Sequence, residues 1–479
     1  MTTTPTSYLS KTLSASNRKT WTFSTWLKNV SQTGSQTLFG NHYHNDPPNY
    51  GYIFLDGNHK IAIRMDIGSA NKAVIVTTRT LQDPTSWYHV VIRCDTTQST
   101  AANRMRIYVN GEDAETQFDS NTIPDQNQDL GINMNAEHRI GNFGNLGRGF
   151  FGLLAHTHFA DGQSYAPSTF GEFDSTTNEW KAKLSPTGIT YGTNGFFLKY
   201  ENASNFGLDS SGQGNNMATS GTFIQDTDTP SNNFCTLHRN LANAASEFGA
   251  NNIDHSGTAW LGTSSSPRGS ATTQMVKDGK WYAEFKPASA NTVDKGTGIS
   301  WAKNGTHAAR RWRFEGNVSI PGSETGSYGC EAITYQPMIG TPNIIDNGGG
   351  GGTNYGVQAS ANDIIMMAVD LSNATTGKIW WGKNGTWFNG PGTSSVGNPA
   401  TGAYPGLSFA KGDDFWGVMV NTVNHSSTNQ YIYCNFGRGA FGNTAVSSGN
   451  ADDNGVGIFE YDVPSGFYAI CTKNIKDYG

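Results

Sequence analysis

The sequence predicts an all-β protein made of two β-sandwich domains, and three observations lead to this prediction. A chain of 479 residues is too long for one ordinary core, so its length favours two domains. Short runs of alternating apolar residues recur along the chain, bounded by Gly, Asn, Asp or Pro, which is typical of many short strands. Signals for helices are nearly absent.

Composition narrows the classes of partner. Charged residues make up only 15% of the chain, whereas soluble proteins average about 25%. The 58 glycines and the 12% aromatic content favour sheets, tight turns and surfaces of hydroxyl and amide groups, which suit sugars or neighbouring subunits. The net charge is -6 and no run of Lys and Arg forms a basic stripe, so we expect no nucleic acid partner.

The first residues and the cysteines indicate where in the cell the protein is made and in what state its thiols are. The first residues lack the apolar region of a signal peptide, and no stretch approaches the roughly 18 apolar residues that span a membrane. We therefore expect synthesis in the cytoplasm and no membrane insertion. The five cysteines are odd in number and form no CxxC pair, so the sequence predicts buried free thiols at Cys94, Cys235, Cys330, Cys434 and Cys471.

The first half contains strand-like runs in a recognisable order. Asn110 and Gly111 lie between two of these runs and predict a hairpin turn. The runs "WTFSTWLK", "WYHVVIRCD", "RMRIYVNGE", "RIGN" and "FFGLLAHTHFADG" resemble, in this order, laminin-G-like, concanavalin A-type jelly rolls over about residues 7–210. We assign residues 1–210 to this domain. Its close, "GFFLKYENASNFGLDSSGQGNN", resembles the end of the same domain in many bacteriophage structural proteins.

Residues 211–244 are polar and rich in Asp, Thr, Pro and Asn, so the sequence predicts a linker there. In the second half, Asn384 and Gly385 predict a hairpin that pairs residues 379–381 with residues 386–388. Because side chains alternate along a strand, Trp380 and Trp381 cannot both enter one core, and one should face outward or into a second layer.

The second half also resembles a known domain. The runs "WYAEF", "GISWAK", the hairpin "DLSNATTGKIWWGKNGTW" and "NFG" resemble a SPRY-type sandwich over about residues 245–445, so we assign residues 245–479 to a SPRY-like sandwich with a C-terminal tail. The tail resembles an ending found in phage virion proteins. The combined resemblance implies a virion protein of a tailed bacteriophage, acting as tail fibre, adaptor or capsid decoration, with other virion subunits as partners and a homo-oligomeric state.

Paired carboxylates would indicate a glycosidase, because glycoside hydrolysis requires an acid and a base or nucleophile at a fixed separation. The nearest approach is Glu172 and Asp174, but Ser175 and Thr176 stand where the laminarinase-type pattern requires a second acid. We therefore expect no enzyme and a solvated loop at this place. A phage-borne glycan depolymerase remains the alternative, together with a purely structural protein that contacts no glycan.

Metal sites have weak candidates. His42 with His44, and His156 with His158, are spaced two apart, so each pair could share one face of a strand and bind a metal. A loop explains the first pair more simply, and the polar face of a half-buried strand explains the second. Calcium remains a possible cofactor because laminin-G-like domains often carry a calcium ion. The sequence supplies isolated acidic residues and no dense acidic loop, for example Asp95, Asp129 and Asp161. We expect no other cofactor.

Three places are candidates for contact with glycans or partners. Aromatic rings beside amide and carboxylate groups suit sugar recognition, and one loop combines them at His42, Tyr43, His44, Asn45, Asp46 and Tyr50. A basic and aromatic run that could meet an acidic polysaccharide comprises Arg310, Arg311, Trp312 and Arg313. Trp381 is the third candidate. The glycine run 348–352 lacks the Lys and Ser or Thr of a phosphate loop and predicts a flexible loop.

Overall fold

The computed structural model describes residues 6–29, 34–41, 49–114, 118–144, 148–175, 178–237, 253–254, 257–262, 268–288, 298–303, 332–337, 342–346, 353–422 and 430–479. The chain divides into two compact units. Unit 1 comprises residues 1–225 and 229–231, and unit 2 comprises residues 226–228 and 232–479.

The described residues of unit 1 form sixteen strands and two short 3-10 helices, Ala101–Asn103 and Pro167–Thr169. The strands are β1 (Tyr8–Thr12), β2 (Thr20–Asn29), β3 (Gln36–Asn41), β4 (Tyr50–Leu55), β5 (Lys60–Ile67), β6 (Ala70–Thr80), β7 (Tyr88–Asp95), β8 (Met105–Val109), β9 (Glu112–Asp113), β10 (Phe118–Thr122), β11 (Glu137–Ile140), β12 (Gly152–Asp161), β13 (Gly171–Phe173), β14 (Trp180–Ala182), β15 (Phe196–Leu198) and β16 (Ala218–Ser220).

These strands form two large antiparallel sheets and a ribbon. The eight-stranded sheet has the order β10-β6-β5-β4-β3-β11-β1-β16, and the six-stranded sheet has the order β15-β12-β2-β7-β8-β9. One buried cluster takes apolar side chains from both sheets. Phe23 of the six-stranded sheet stacks on Phe39 of the eight-stranded sheet, with ring centres 5.1 Å apart. Unit 1 is therefore a β-sandwich.

The outer face of the six-stranded sheet is covered by the chain that follows β12. Trp26 and Leu153 point away from the sandwich core and pack with Trp87 against Trp180 and Ala182, which belong to the β13–β14 ribbon. The indole of Trp180 donates a hydrogen bond to Nδ1 of His89 at 2.9 Å. This face is therefore an interior layer.

The described residues of unit 2 form strands β17 to β33 and one short helix, α1 (Thr472–Tyr478). The strands are β17 (Ile253–Asp254), β18 (Ala259–Gly262), β19 (Arg268–Ala271), β20 (Lys280–Pro287), β21 (Gly298–Lys303), β22 (Ala332–Gln336), β23 (Asn343–Asp346), β24 (Thr353–Asn354), β25 (Ile365–Asp370), β26 (Thr376–Lys383), β27 (Thr386–Trp387), β28 (Leu407–Ala410), β29 (Trp416–Thr422), β30 (Gln430–Asn435), β31 (Ala440–Phe441), β32 (Thr444–Ala445) and β33 (Tyr468–Ala469).

Unit 2 is also built from two sheets. The nine-stranded sheet follows the order β17-β18-β30-β20-β25-β26-β27, with β28 paired to β26 and β33 paired to β20. The six-stranded sheet has the order β19-β29-β21-β22-β23-β24, and β31 and β32 form a separate pair. Side chains of both large sheets share one buried cluster, which makes this unit a second sandwich. The predicted fold class, all-β with two β-sandwiches, is confirmed.

The C-terminal segment adds a third layer to unit 2. Phe459, Phe467 and Ala469 pack with Tyr282 and Trp380 on the outer face of the nine-stranded sheet. Alternation therefore separates the two tryptophans of β26 as expected, because Trp381 enters the sandwich core while Trp380 enters this outer layer. Both are 0% exposed.

Other local predictions have clear outcomes. Both hairpins form: Val109 pairs with Glu112, and Lys383 with Thr386. The turn residues Asn110, Gly111, Asn384 and Gly385 all have positive φ. Buried free thiols are found at Cys94, Cys235, Cys434 and Cys471, while Cys330 lies outside the described residues.

The predicted linker at 211–244 is packed where the structure describes it. Strand β16 pairs with β1 in unit 1, and Phe234, Cys235 and Leu237 are buried in unit 2. The sequence suggested a polar linker because the residues that are buried here are interspersed among polar, turn-forming residues.

Candidate functional site

The outer face of the eight-stranded sheet carries an aromatic and charged cluster at β4 and β5. Alternation sends Ile53 and Leu55 of β4 into the core, so Tyr50 and Tyr52 face outward. Strand β5 lies antiparallel to β4, with Asp66 opposite Tyr50 and Arg64 opposite Tyr52. Two tyrosines, an arginine and a carboxylate thus meet on one surface.

Tyr50 is half-buried and fixed by its charged neighbours. Its hydroxyl donates a hydrogen bond to Asp66, and Nη2 of Arg64 donates to the same carboxylate at 2.9 Å. The Arg64 guanidinium also lies 5.9 Å from the centre of the Tyr50 ring. Burial, together with the hydrogen bond to Asp66, raises the pKa of Tyr50 to about 12, so the phenol stays protonated at neutral pH.

Tyr52 anchors the other half of the cluster. Its ring centre lies 4.3 Å from that of Phe143, and Nη1 of Arg148 donates to its hydroxyl at 2.7 Å. Gly40 on β3 allows β4 to approach closely, because an added Cβ would lie 2.6 Å from Cβ of Tyr52. The backbone carbonyl of Arg148 accepts a hydrogen bond from Thr37 at 2.9 Å, which ties this segment to β3.

We name the surface formed by Tyr50, Tyr52, Arg64, Asp66, Phe143 and Arg148 the Tyr–Arg face. Arg148 has no carboxylate partner in the described part of the chain, and its half-buried guanidinium retains donors that the Tyr52 hydroxyl does not use. The Arg64 side chain is 41% exposed. An aromatic edge beside an arginine with spare donors can stack on a sugar ring and bind an anionic group with paired hydrogen bonds.

The predicted contact residues have different outcomes. His42, Tyr43, His44, Asn45 and Asp46 lie outside the described residues, between Asn41 of β3 and Asn49 before β4. Tyr50 lies on the Tyr–Arg face. Arg310, Arg311, Trp312 and Arg313 lie outside the described residues, as do glycines 348–352.

Trp381 is wrong as a contact residue. It is 0% exposed, and its ring lies 5.6 Å from that of Tyr335 and 6.1 Å from that of Tyr355 inside the core of unit 2. The alternation of β26 admits one tryptophan to each face, but both faces of this sheet are covered.

The carboxylates tested for catalysis serve a different purpose. Glu172 and Asp174 both pair with the ammonium of Lys181, at 3.8 and 3.1 Å, across the β13–β14 ribbon. On the Tyr–Arg face, Asp66 is held by Tyr50 and Arg64. Each of these carboxylates faces a cation, whereas a general acid requires a neighbourhood that favours its protonated form.

The histidine pair His156 and His158 does not present two imidazoles to one metal. The register between β12 and β2 shifts between Ala155 and His158, and His156 adopts a φ of 46° at this bulge. His158 is 1% exposed, stacks on Phe197 with ring centres 3.9 Å apart, and shares a hydrogen bond with the Tyr191 hydroxyl. Burial lowers its pKa well below the ordinary value, so this imidazole is neutral. His42 and His44 lie outside the described residues.

The acids considered for calcium are engaged or isolated. Asp161 accepts hydrogen bonds from Ser16, Asn133 and Asn194, and Asp95 accepts from Thr97 and Gln98. Asp129 is exposed. Within the described ranges, no group of three or more His, Cys, Asp or Glu side chains could hold a metal ion.

Sequence reasoning missed five members of the Tyr–Arg face. Tyr52 could have been predicted from the sequence, because Tyr50 and Tyr52 are two residues apart in "NYGYIFLDG" and therefore share one face of the strand. Arg64 and Asp66 repeat the same spacing on the next run. Phe143 and Arg148 lie far from β4 in the sequence, and no periodic pattern predicts that they contact this face.

The comparisons with known proteins agree with this architecture. Residues 3–162, which include the whole Tyr–Arg face, match the family model described as the Concanavalin A-like lectin/glucanases superfamily. The search of curated proteins gave no match. The family match and the two packed sheets confirm the concanavalin A-like jelly roll expected for the first half.

Similar solved structures include a heptameric SAP-like pentraxin from Limulus polyphemus, with 14% identity and a TM-score of 0.27 over 40% of this chain and 92% of that chain. The SPRY domain of human HERC1 has 16% identity and a TM-score of 0.23 over 37% and 87% of the two chains. Mouse laminin alpha1 domains LG4-5 have 9% identity and a TM-score of 0.26 over 87% and 79%.

Proposed function

We propose that this chain is a non-enzymatic, glycan-binding structural protein, and that the Tyr–Arg face is its contact site for acidic sugars. The observation that carries the proposal is the pairing of Tyr50 and Tyr52 on an outward sheet face with Arg148, which has no carboxylate partner among the described residues. Arg148 supplies the hydrogen-bond geometry that suits a sugar carboxylate or sulfate. The match of this region to a lectin and glucanase superfamily supports the same class of ligand.

The setting proposed for this activity is the particle of a tailed bacteriophage. It rests on the order of a concanavalin A-like domain, a SPRY-like domain and the C-terminal tail, which resembles virion proteins that join these folds. In this setting the chain acts as tail fibre, adaptor or capsid decoration, assembles as a homo-oligomer with other virion subunits, and contacts host surface polysaccharide. No helix in the described residues is long and apolar enough to cross a membrane.

The enzymatic alternative is a glycan depolymerase. The carboxylates Glu172, Asp174 and Asp66 are each paired with a cation, which favours binding over hydrolysis. The alternative is tested by incubating the purified protein with host envelope polysaccharide and assaying reducing ends. Release of reducing sugar by the protein, and not by a heat-treated sample, would establish the depolymerase.

The binding proposal is tested by titrating the purified chain with acidic polysaccharide from the host envelope. We expect Arg148→Ala to weaken binding roughly ten- to hundredfold, because a hydrogen bond to a charged group contributes roughly 1.5–3 kcal/mol. Arg79→Ala is the matched control, since this arginine belongs to the same sheet and pairs with Glu112 instead. Equal binding by both variants and the unaltered chain would contradict a role for the Tyr–Arg face.

The particle setting is tested by cryo-electron microscopy of intact virions. A position at the tail periphery with the Tyr–Arg face outward supports receptor contact. A position between other subunits that buries this face would contradict glycan recognition and support the other alternative, a purely structural protein.

A further inference from the structure

The β13–β14 ribbon is a small element with few buried contacts. Each of its strands has three residues, and Phe173 is 53% exposed. Trp180 supplies its main contact with the six-stranded sheet, where it packs with Trp26. The charged side chains of the ribbon pair with one another, namely Glu172 and Asp174 with Lys181. An element of this kind separates from its neighbours at a lower free energy than the sandwich core requires to unfold.

His89 on β7 holds the ribbon by a hydrogen bond that fixes its tautomer. Its imidazole stacks on Trp26, with ring centres 4.8 Å apart. Because an indole N–H only donates, Nδ1 of His89 accepts the hydrogen bond from Trp180 at 2.9 Å and carries no proton. Nε2 therefore carries the proton and donates to the Ser24 hydroxyl at 2.8 Å. Both hydrogen bonds together require the neutral imidazole.

Protonation of His89 removes this attachment. A proton on Nδ1 leaves no lone pair for the indole of Trp180, so two N–H groups would face each other. The side chain is 1% exposed, and burial, with a smaller contribution from His156, lowers the pKa of His89 to about 3. The closed ribbon therefore favours the neutral form, and the charged form favours an open ribbon.

Two further imidazoles lie near His89. His156 and His158 belong to β12, and their ring centres are 6.5 Å apart. Burial, followed by the repulsion between imidazolium charges, lowers the pKa of both His89 and His158. Nδ1 of His156 is buried and has no hydrogen-bond partner among the described residues, so a proton added there would meet no acceptor. All three side chains thus resist protonation while the layer is closed.

The neighbouring charges do not reverse this preference. Burial lowers the pKa of His156, with Glu201 acting against the shift and Lys199 adding to it. Alternation along β2 places Lys28, a further cation, on the same face as Trp26. The phenols on this face are uncharged in acid and belong to Tyr108 and Tyr191. A proton that enters this layer is therefore accommodated most readily when the ribbon leaves.

We propose that the β13–β14 ribbon is a cover that acid releases from the six-stranded sheet, with His89 as the controlling group. Release uncovers the apolar side chains of Trp26, Trp87 and Leu153, which form a contact surface hidden at neutral pH. Because the closed state lowers the pKa of His89, attachment is complete above pH 6.5 and is lost as the pH falls toward the folded value. This device does not depend on glycan binding at the Tyr–Arg face.

The test is fluorine NMR of the full chain labelled with fluorotryptophan, with the Trp180, Trp26 and Trp21 signals assigned by substitution to Phe. We expect the Trp180 and Trp26 signals to move to exposed positions between pH 6.5 and about pH 4.5. Trp21 lies in the sandwich core and should keep its signal. The opening constant should rise about fiftyfold for His89 alone, because each pH unit below 6.5 favours the exposed imidazole up to tenfold.

His89→Asn should remove this fiftyfold increase, because the amide oxygen accepts from Trp180 and does not titrate. His138→Gln is the matched control. His138 is also buried, and burial lowers its pKa to about 4, but it belongs to β11 of the other sheet. The control should leave the pH dependence of the Trp180 signal unchanged. If His89→Asn does not fold, proton NMR of the unaltered chain decides, because protonation of His89 must coincide with the movement of the Trp180 signal.

A Trp180 signal that keeps its buried position down to about pH 4.5 would overturn the proposal. An equal movement in His89→Asn would also overturn it, as would a movement that occurs only together with that of Trp21, because the latter reports unfolding of the sandwich. Movement of Trp180 before Trp21 in the unaltered chain, and its loss in His89→Asn, would establish the acid-released cover.

Discussion

Glu284 is a carboxylate with no exposure to solvent, and its two oxygens accept four hydrogen bonds. Oε1 accepts from the Tyr282 hydroxyl and the Tyr461 amide, while Oε2 accepts from the Asn435 side chain and the Glu460 amide. This one residue therefore connects β20 and β30 to the C-terminal segment. Burial nevertheless dominates, and it raises the pKa of Glu284 to about 7.

The raised pKa makes stability depend on pH in a definite direction. Between the ordinary value of 4.5 and about 7, the folded state binds the Glu284 proton more tightly than the unfolded state does. Its stabilising contribution is therefore complete below pH 4.5 and is lost as the pH rises through 7. We expect the free energy of unfolding of the unaltered chain, minus that of Glu284→Gln, to fall between pH 5 and 8, as measured by urea denaturation. A difference that rises with pH would show that the four donors outweigh burial.

At the scale of single elements, the hairpin turns carry both local and tertiary constraints. Gly111 closes the β8–β9 hairpin with a φ of 80°, and an added Cβ would lie 2.6 Å from the Trp180 ring. Trp180 belongs to the ribbon that covers the six-stranded sheet and is held by its hydrogen bond to His89. The absence of a side chain at Gly111 thus allows both the positive φ of the turn and the close packing of Trp180 on it.

Gly111→Ala should therefore destabilise unit 1 by more than the strain of positive φ alone, which is about 1–2 kcal/mol for a residue with a Cβ. Gly188→Ala is the matched control, because Gly188 has a φ of 73° and nothing within 4 Å of an added Cβ. We expect the control to lose only the backbone contribution and Gly111→Ala to lose roughly 1–3 kcal/mol more, through displacement of Trp180. Chemical denaturation measures both. Equal losses would mean that the ribbon moves aside without cost.

At the scale of the whole molecule, each unit has a sandwich core and an added layer that later chain segments supply. In unit 2 this layer is the C-terminal segment, which buries Tyr282, Met366 and Trp380 on the outer face of the nine-stranded sheet. Without that segment the sheet would expose a contiguous apolar surface. The segment is thus part of the folded domain.

Deletion of residues 456–479 should expose this surface and make the protein aggregate or bind a hydrophobic dye. The expected loss is large, because the segment covers several fully buried side chains and pairs β33 with β20. Dye fluorescence and light scattering measure it. Gly466→Ala provides a control in the same segment, because it adds only the strain of a φ of 81° and its Cβ meets nothing within 4 Å. A soluble truncated protein that binds no dye would contradict the structural role of the tail.

The sequence by itself determined the strand-rich character, the two Asn-Gly hairpins, the free thiols in the described part of the chain, and the separation of Trp380 from Trp381. These features depend on contacts between neighbours in the chain, on the alternation of side chains along a strand, or on composition, so they can be predicted from the sequence alone. The resemblance added the jelly roll of the first half, which the family match supports.

Only the tertiary structure decided which faces are open. Trp381 and Trp380 are buried because a second sheet covers one face and the C-terminal segment covers the other. The Tyr–Arg face joins β4 and β5 to Phe143 and Arg148, which lie 91 and 96 residues beyond Tyr52. Periodicity states which side chains share a face of a strand, but it carries no information on which distant segment, if any, packs against that face.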